Sequence, residues 1–185
     1  VVHKKLERAT RRTQADGRIP AISAALVRAD RPAWSIQVGT AGDDKALGED
    51  TQFRLGSVTK TFTAALVLQC RDAGLLELDD PIGKHLSVPA HGEHTIRDLL
   101  AHRSGLQREP HGDVWDAQVG PDSARLLADL AHAERVLPVN RRFHYSNLAF
   151  ALLGHLAAAK RGGTWEEVLD QYLLRPLGLS DITVQ

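Results

Sequence analysis

The 185 residues carry 23 lysines and arginines against 23 aspartates and glutamates, giving a formal charge of zero, and 43% of them are hydrophobic. This is the balance of an ordinary globular protein, with no basic face for nucleic acid and no acidic block for a cationic partner. The length suffices for one good core, or for one domain and part of a second.

Lys4 to Ala15 reads as a short charged helix ended by Gly17 and the Ile19-Pro20 pair. It lacks an apolar h-region, so neither it nor Arg11-Arg12 is an export signal. The absence of methionine, even at position 1, is expected of a trimmed or processed product. Ile22 to Ala29 has strand character, Asp30-Arg31-Pro32 makes a turn, and Ala33 to Gly39 alternates as a hairpin partner. Gly39 to Asp50 is a polar connection.

Helices dominate from there on. Thr59 to Ala73 is apolar on most sides, the pattern of a central, buried helix, and Gly74 terminates it. Thr95-Ile96-Arg97-Asp98 has capping-box spacing and starts a helix through Ala101. Pro121 to Glu134 predicts another. A further helix starts near Asn147 and ends at Gly162-Gly163, and Thr164-Trp165-Glu166-Glu167 is a second capping box opening a helix to Leu174. The expectation is one hairpin and at least five helices, with no internal repeat, no linker and no run long enough to span a membrane. Two strands alone do not make a stable sheet, so further strands are expected from sequence beyond Gln185 or from another chain.

Chemistry concentrates in Gly56-Ser57-Val58-Thr59-Lys60, at the start of the buried helix. Residues three apart on a helix share a face, with β-carbons roughly 5–6 Å apart, so Lys60 reaches the Ser57 hydroxyl. A serine hydroxyl needs a neighbouring base before it becomes a useful nucleophile. The helix start adds positive potential, and the apolar run adds burial. The pair alone is weak evidence, since S-x-x-K arises by chance in a chain this long roughly half the time. Tyr145-Ser146-Asn147 is the second informative segment. Tyr145 could pass a proton and Asn147 could hold a substrate amide. Equally, Asn147 could cap the following helix and Tyr145 could be core.

Other residues have plainer readings. Cys70, the only cysteine, falls inside the apolar helix and reads as a buried thiol. His91-Gly92-Glu93-His94 brings two histidines near a carboxylate, but it lies on a loop and reads as solvated rather than metal-binding. His85 and His111 read as loop residues too. Glu77, Asp79 and Asp80 read as a solvated acidic turn, and Trp34, Trp115 and Trp165 are too scattered for a binding platform.

Phe53 to Leu78, with Ser57 and Lys60, resembles the nucleophile helix of penicillin-recognising serine hydrolases: D-alanyl-D-alanine carboxypeptidases, class C β-lactamases and related esterases. Three further segments resemble that family in order and spacing. They are Leu75 to Ile82, the Leu99-Leu100-Ala101-His102-Arg103-Ser104-Gly105-Leu106 stretch, and Tyr145-Ser146-Asn147 as its Y-x-N motif. The likeness runs from about Ile19 to Thr183. It implies an α+β fold, here the N-terminal hairpin of an antiparallel sheet plus a helical region, the C-terminal strands being absent from this chain. Residues 1–185 are then one incomplete domain, with the hairpin part in 1–50 and the helical part in 51–185.

The implied activity is acyl transfer, without metal or organic cofactor. Ser57 would attack the carbonyl of a D-Ala-D-Ala peptide, a β-lactam or an ester. Lys60 and Tyr145 would share the proton transfers, which of them is the base being left open, and Asn147 would grip the acyl-side amide. His102 is implied to be structural. The chain departs from the family in one respect: no K-T-G or H-x-G occurs downstream of Asn147. In the family that motif lies on a strand that gives one oxyanion-hole N–H, and losing such a donor costs on the order of 10²–10³ in rate. Impaired activity of the chain alone is therefore expected, with a complementing C-terminal chain or a swapped dimer as the implied partner. The competing expectation is a non-catalytic penicillin-binding sensor, or a degenerate scaffold that retains the fold and the serine without turnover. A periplasmic, envelope or secreted location would follow if an export signal had been removed.

Overall fold

The computed structural model describes residues 2–42, 45–112, 120–140 and 142–184. Trp115, Arg141 and the Asp43-Asp44 part of the polar connection lie outside the described residues. The backbone groups into two compact units, Val1–Arg54 and Leu55–Gln185.

In the first unit, α1 (Val2–Asp16) packs on an antiparallel hairpin of β1 (Ala21–Arg28) and β2 (Arg31–Gly39). The register runs from Ala21 opposite Gly39 to Arg28 opposite Arg31, with an irregularity between Leu26 and Arg28. Ile36 and Val38 supply its buried side chains, and the His3 and Trp34 rings stack at 5.9 Å. Gly39 closes the hairpin at φ 103°, where a β-carbon would stand 2.0 Å from the Pro20 carbonyl oxygen. Only glycine fits there.

The second unit is built around α2 (Thr59–Asp72) and α5 (Asn147–Arg161), which pack along each other. Between them lie α3 (Ile96–Leu100) and α4 (Ser123–Asp129). After them, α6 (Trp165–Leu169) runs through a π-helical turn, Asp170–Leu174, into α7 (Arg175–Leu177). Leu66, Val67 and Cys70 of α2 join Leu152, Leu153 and Leu156 of α5 in one buried cluster. At roughly 1.5–3 kcal/mol per fully buried aliphatic side chain, this seam is a main source of the unit's stability. Cys70 is fully buried and its thiol is pushed up by that burial, as befits a core residue. No helix of the described residues is long and apolar enough to cross a membrane.

Three expectations need correction. The α2 helix is not buried all round: Thr63, Leu66, Val67 and Cys70 are, while Thr59 and Lys60 of its first turn are half-buried and Thr61 is exposed. The helix expected over Pro121 to Glu134 is shorter. Asp122 caps it by accepting from the Arg125 N–H, and a 3₁₀ turn, Leu130–His132, ends it. Glu134 is then committed elsewhere, its N–H to the Gln107 side chain and its C=O to the Gln107 N–H. Nor is the acidic turn merely solvated. The Asp80 carboxylate accepts from the Glu77 N–H at 3.0 Å, Lys84 Nζ at 2.6 Å and His85 Nε2 at 2.8 Å, and Asp79 pairs with Arg97 at 2.7 Å. These bonds pin the chain that leaves α2 to the start of α3.

Candidate active site

Ser57 lies in a 3₁₀ turn, Gly56–Val58, that runs straight into α2. Val58 and Thr59 already have helical dihedrals, so Ser57 and Lys60 share a face as their spacing predicts. The Lys60 ammonium lies 3.4 Å from Ser57 Oγ. Ser57 is exposed and Lys60 half-buried.

The partners of Ser57 and Lys60 come from residues at and just before the start of α5. Ser146, not Asn147, caps this helix: its hydroxyl accepts the Ala149 N–H at 3.0 Å and donates to the Gln107 carbonyl at 2.7 Å. Relieved of capping, Asn147 turns its amide toward Lys60 and Glu109. Asn147 Oδ1 accepts from Lys60 Nζ at 2.5 Å, and Asn147 Nδ2 donates to both oxygens of Glu109, at 2.9 and 2.8 Å. A cation on the oxygen and a carboxylate on the nitrogen fix the amide's orientation without ambiguity.

Tyr145 completes the group. Its hydroxyl bonds to Ser57 Oγ at 2.7 Å, and Lys60 Nζ stands 4.9 Å from the centre of its ring. Burial works against ionisation of this phenol, but its hydrogen bonding with Lys60 and Ser57, together with the charges of Lys60 and Arg108, outweighs it. The net effect lowers the phenol below its ordinary value of 10.0. His102 stacks on the Tyr145 ring at 4.5 Å, and its Nδ1 accepts the Ser146 N–H at 3.1 Å. Burial, aided by the charge of Lys60, lowers the His102 pKa, so the ring stays a neutral acceptor. It braces Tyr145 and the α5 cap.

Thus Ser57, Lys60, Tyr145 and Asn147, up to 90 positions apart in sequence, meet in one hydrogen-bonded group. Glu109 and Arg108 were not legible in the sequence. Glu109 follows the Gly105-Leu106 turn in no recognisable pattern, and only the fold brings it to Asn147. Arg108 lies with its guanidinium carbon 5.1 Å from the Tyr145 ring centre. The His91–His94 loop also differs from expectation. His94 is 1% exposed rather than solvated.

Comparison with known proteins agrees with this geometry. The Beta-lactamase family model matches residues 6–185. Penicillin-binding protein 4 of Amycolatopsis lactamdurans is 34% identical over 75% of this chain and 37% of its own length. The D-alanyl-D-alanine-carboxypeptidase/endopeptidase AmpH of Escherichia coli K12 is 30% identical over 72% of this chain and 37% of its own length. A crystal structure of the class C β-lactamase from Rhodobacter sphaeroides superposes with a TM-score of 0.78 at 28% identity, over 93% of this chain and 48% of that one. The chain thus spans between a third and a half of the length of these relatives, on the N-terminal portion of their α+β fold. By its family match and by the folded arrangement around Ser57, this chain belongs to the β-lactamase family of penicillin-recognising serine hydrolases.

Proposed function

We propose that Ser57 is the nucleophile of an acyl-transfer site acting on amide or ester carbonyls, the class that includes D-Ala-D-Ala peptides, β-lactams and simple esters. The single observation that carries this reading is the contact of Ser57 Oγ with two proton-handling groups, Tyr145 at 2.7 Å and Lys60 at 3.4 Å. In the forward step Ser57 Oγ bonds to the carbonyl carbon, its proton passes to the Tyr145 phenolate, and the C=O electron pair moves onto oxygen. The N–H of Ser57, at the positive start of α2, would receive that oxyanion. Collapse of the adduct expels the leaving group, which takes the proton from Tyr145. Water, deprotonated by the same phenolate, then attacks the acyl carbonyl, and Ser57 Oγ leaves with the proton that Tyr145 returns to it.

Tyr145 rather than Lys60 is the proposed base. It is the nearer of the two, and its phenol is lowered by the lysine. Lys60 is proposed to keep the phenolate and the Asn147 amide in place. Asn147 would present its Nδ2 to an acyl-side carbonyl in exchange for one of its bonds to Glu109.

A second reading, a non-catalytic penicillin-binding sensor, is favoured by the similarity to Penicillin-binding protein 4 of Amycolatopsis lactamdurans, whose name speaks of binding. Intact mass after incubation with a penicillin, with Ser57→Ala as control, tests both. A transient adduct absent from the control supports turnover, and a stable one supports the sensor. A wild-type adduct that persists in the control would overturn the role of Ser57.

A further inference from the structure

We propose that His91, Glu93 and His94 form a binding site for a divalent metal ion of the zinc class, separate from the serine group. One ligand atom from each side chain lies within 4.8 Å of the others. A tetrahedral zinc with bonds of about 2.0–2.2 Å holds its ligand atoms roughly 3.3–3.6 Å apart. Side-chain rotation of about an ångström therefore closes the set. Two imidazoles and one carboxylate are a donor set that zinc takes with a fourth position left for water.

The strongest pointer is His94. Its ring is buried, and among the described residues neither nitrogen has a hydrogen-bond partner. A buried polar atom left unpaired costs about 1–3 kcal/mol, so an orphaned imidazole calls for a ligand.

The surroundings supply the supporting contacts that such ligands need. His91 Nε2 lies 2.8 Å from the Ala133 carbonyl oxygen. A carbonyl only accepts, so Nε2 carries the proton and Nδ1 keeps its lone pair for a metal. Backing of a ligating histidine by a backbone carbonyl is a common device at metal centres. Glu93 is held by Arg135, which occupies one carboxylate oxygen and leaves the other. The loop itself is fixed. The Ile82 N–H donates to the His94 carbonyl at 2.8 Å, and the Gly83 N–H to the Gly92 carbonyl at 2.9 Å. Such an ion would reinforce the contacts of the 91–94 loop with Ala133 and Arg135.

Zn²⁺ and Co²⁺ titrations of the whole chain test this, with visible spectroscopy of the cobalt form and calorimetry of the zinc form. The expected result is one ion per chain, intense tetrahedral cobalt bands, and affinity weakened about tenfold or more by His91→Ala and by Glu93→Gln. His94→Leu should abolish binding while keeping or raising the melting temperature, because it removes the orphaned nitrogens. No binding by the wild type, or equal binding by His91→Ala and Glu93→Gln, would overturn the site and assign any uptake to the other histidines. Penicillin adduct formation on Ser57, measured on the same variants, reads the serine site independently.

Discussion

Lys60 and Asn147, 87 positions apart, are joined by a 2.5 Å hydrogen bond that seals the start of α2 to the start of α5. The bond places a positive charge between Ser57, Tyr145 and Asn147. The most direct consequences concern Tyr145.

Tyr145→Phe keeps the stack on His102 and removes only the hydroxyl. The acylation rate should fall about 10²–10⁴-fold, the usual worth of a positioned general base. Because the phenol is lowered from 10.0, the phenolate forms at lower pH, so the wild-type rate should rise with pH and level off below pH 10. Arg108→Ala removes one of the charges that lower the phenol and should move that limb to higher pH. Stopped-flow acylation with a chromogenic ester across pH reads both effects, and a limb unchanged in Tyr145→Phe would sink the assignment.

Glu109 holds Asn147 through two contacts, at 2.9 and 2.8 Å. Glu109→Gln retains an acceptor and should leave acylation within a few-fold of wild type, as befits a net hydrogen bond of about 1 kcal/mol. Glu109→Ala frees the amide to rotate and should slow acylation about tenfold, an effect of roughly 1.4 kcal/mol. Equal rates for the two variants would show that Glu109 does not position Asn147.

Gly105 has φ 73°, and a β-carbon there would meet the Leu137 carbonyl oxygen at 2.0 Å. Its own carbonyl accepts the Val136 N–H at 2.8 Å, so the backbone has little freedom to yield. Gly105→Ala should cost more than the roughly 1–3 kcal/mol of a strained backbone alone. Ser146→Ala, which removes the α5 cap, should cost about 1–2 kcal/mol. Urea unfolding of both variants gives the ranking, and the reverse order would contradict the steric argument.

Asp80 is held well below the usual carboxylate range, first by Lys84 and next by the Glu77 N–H, with His85 adding to them against a desolvation cost. A depressed folded-state pKa means stability that is fully present above the unfolded value, about 3.9, and lost as pH falls below it. Asp80→Asn should therefore be destabilised at pH 7, with the gap to wild type closing below about pH 4. Urea midpoints across pH check this; a gap independent of pH would mean that the charge of Asp80 is irrelevant.

Several elements were legible from local sequence because their causes are local. The Thr164 capping box forms as written, with Glu167 and Thr164 bonding each other's backbone N–H. Gly74 ends α2 at φ 69°, and the Ala21–Gly39 hairpin pairs in register. Ser57 and Lys60 meet because helical geometry brings residues three apart together. Tertiary structure decided what depends on distant neighbours. Asn147 faces Lys60 because Ser146 takes the cap, and Ser146 takes it because its hydroxyl also reaches the Gln107 carbonyl. Glu109 reaches Asn147, and His94 loses its solvent, only once the chain between Leu78 and Arg135 has folded back on itself. Periodicity and capping record what a residue does within its own turn of chain. Burial and long-range hydrogen bonds depend on which distant segment arrives beside it, and no local pattern in this sequence encodes that.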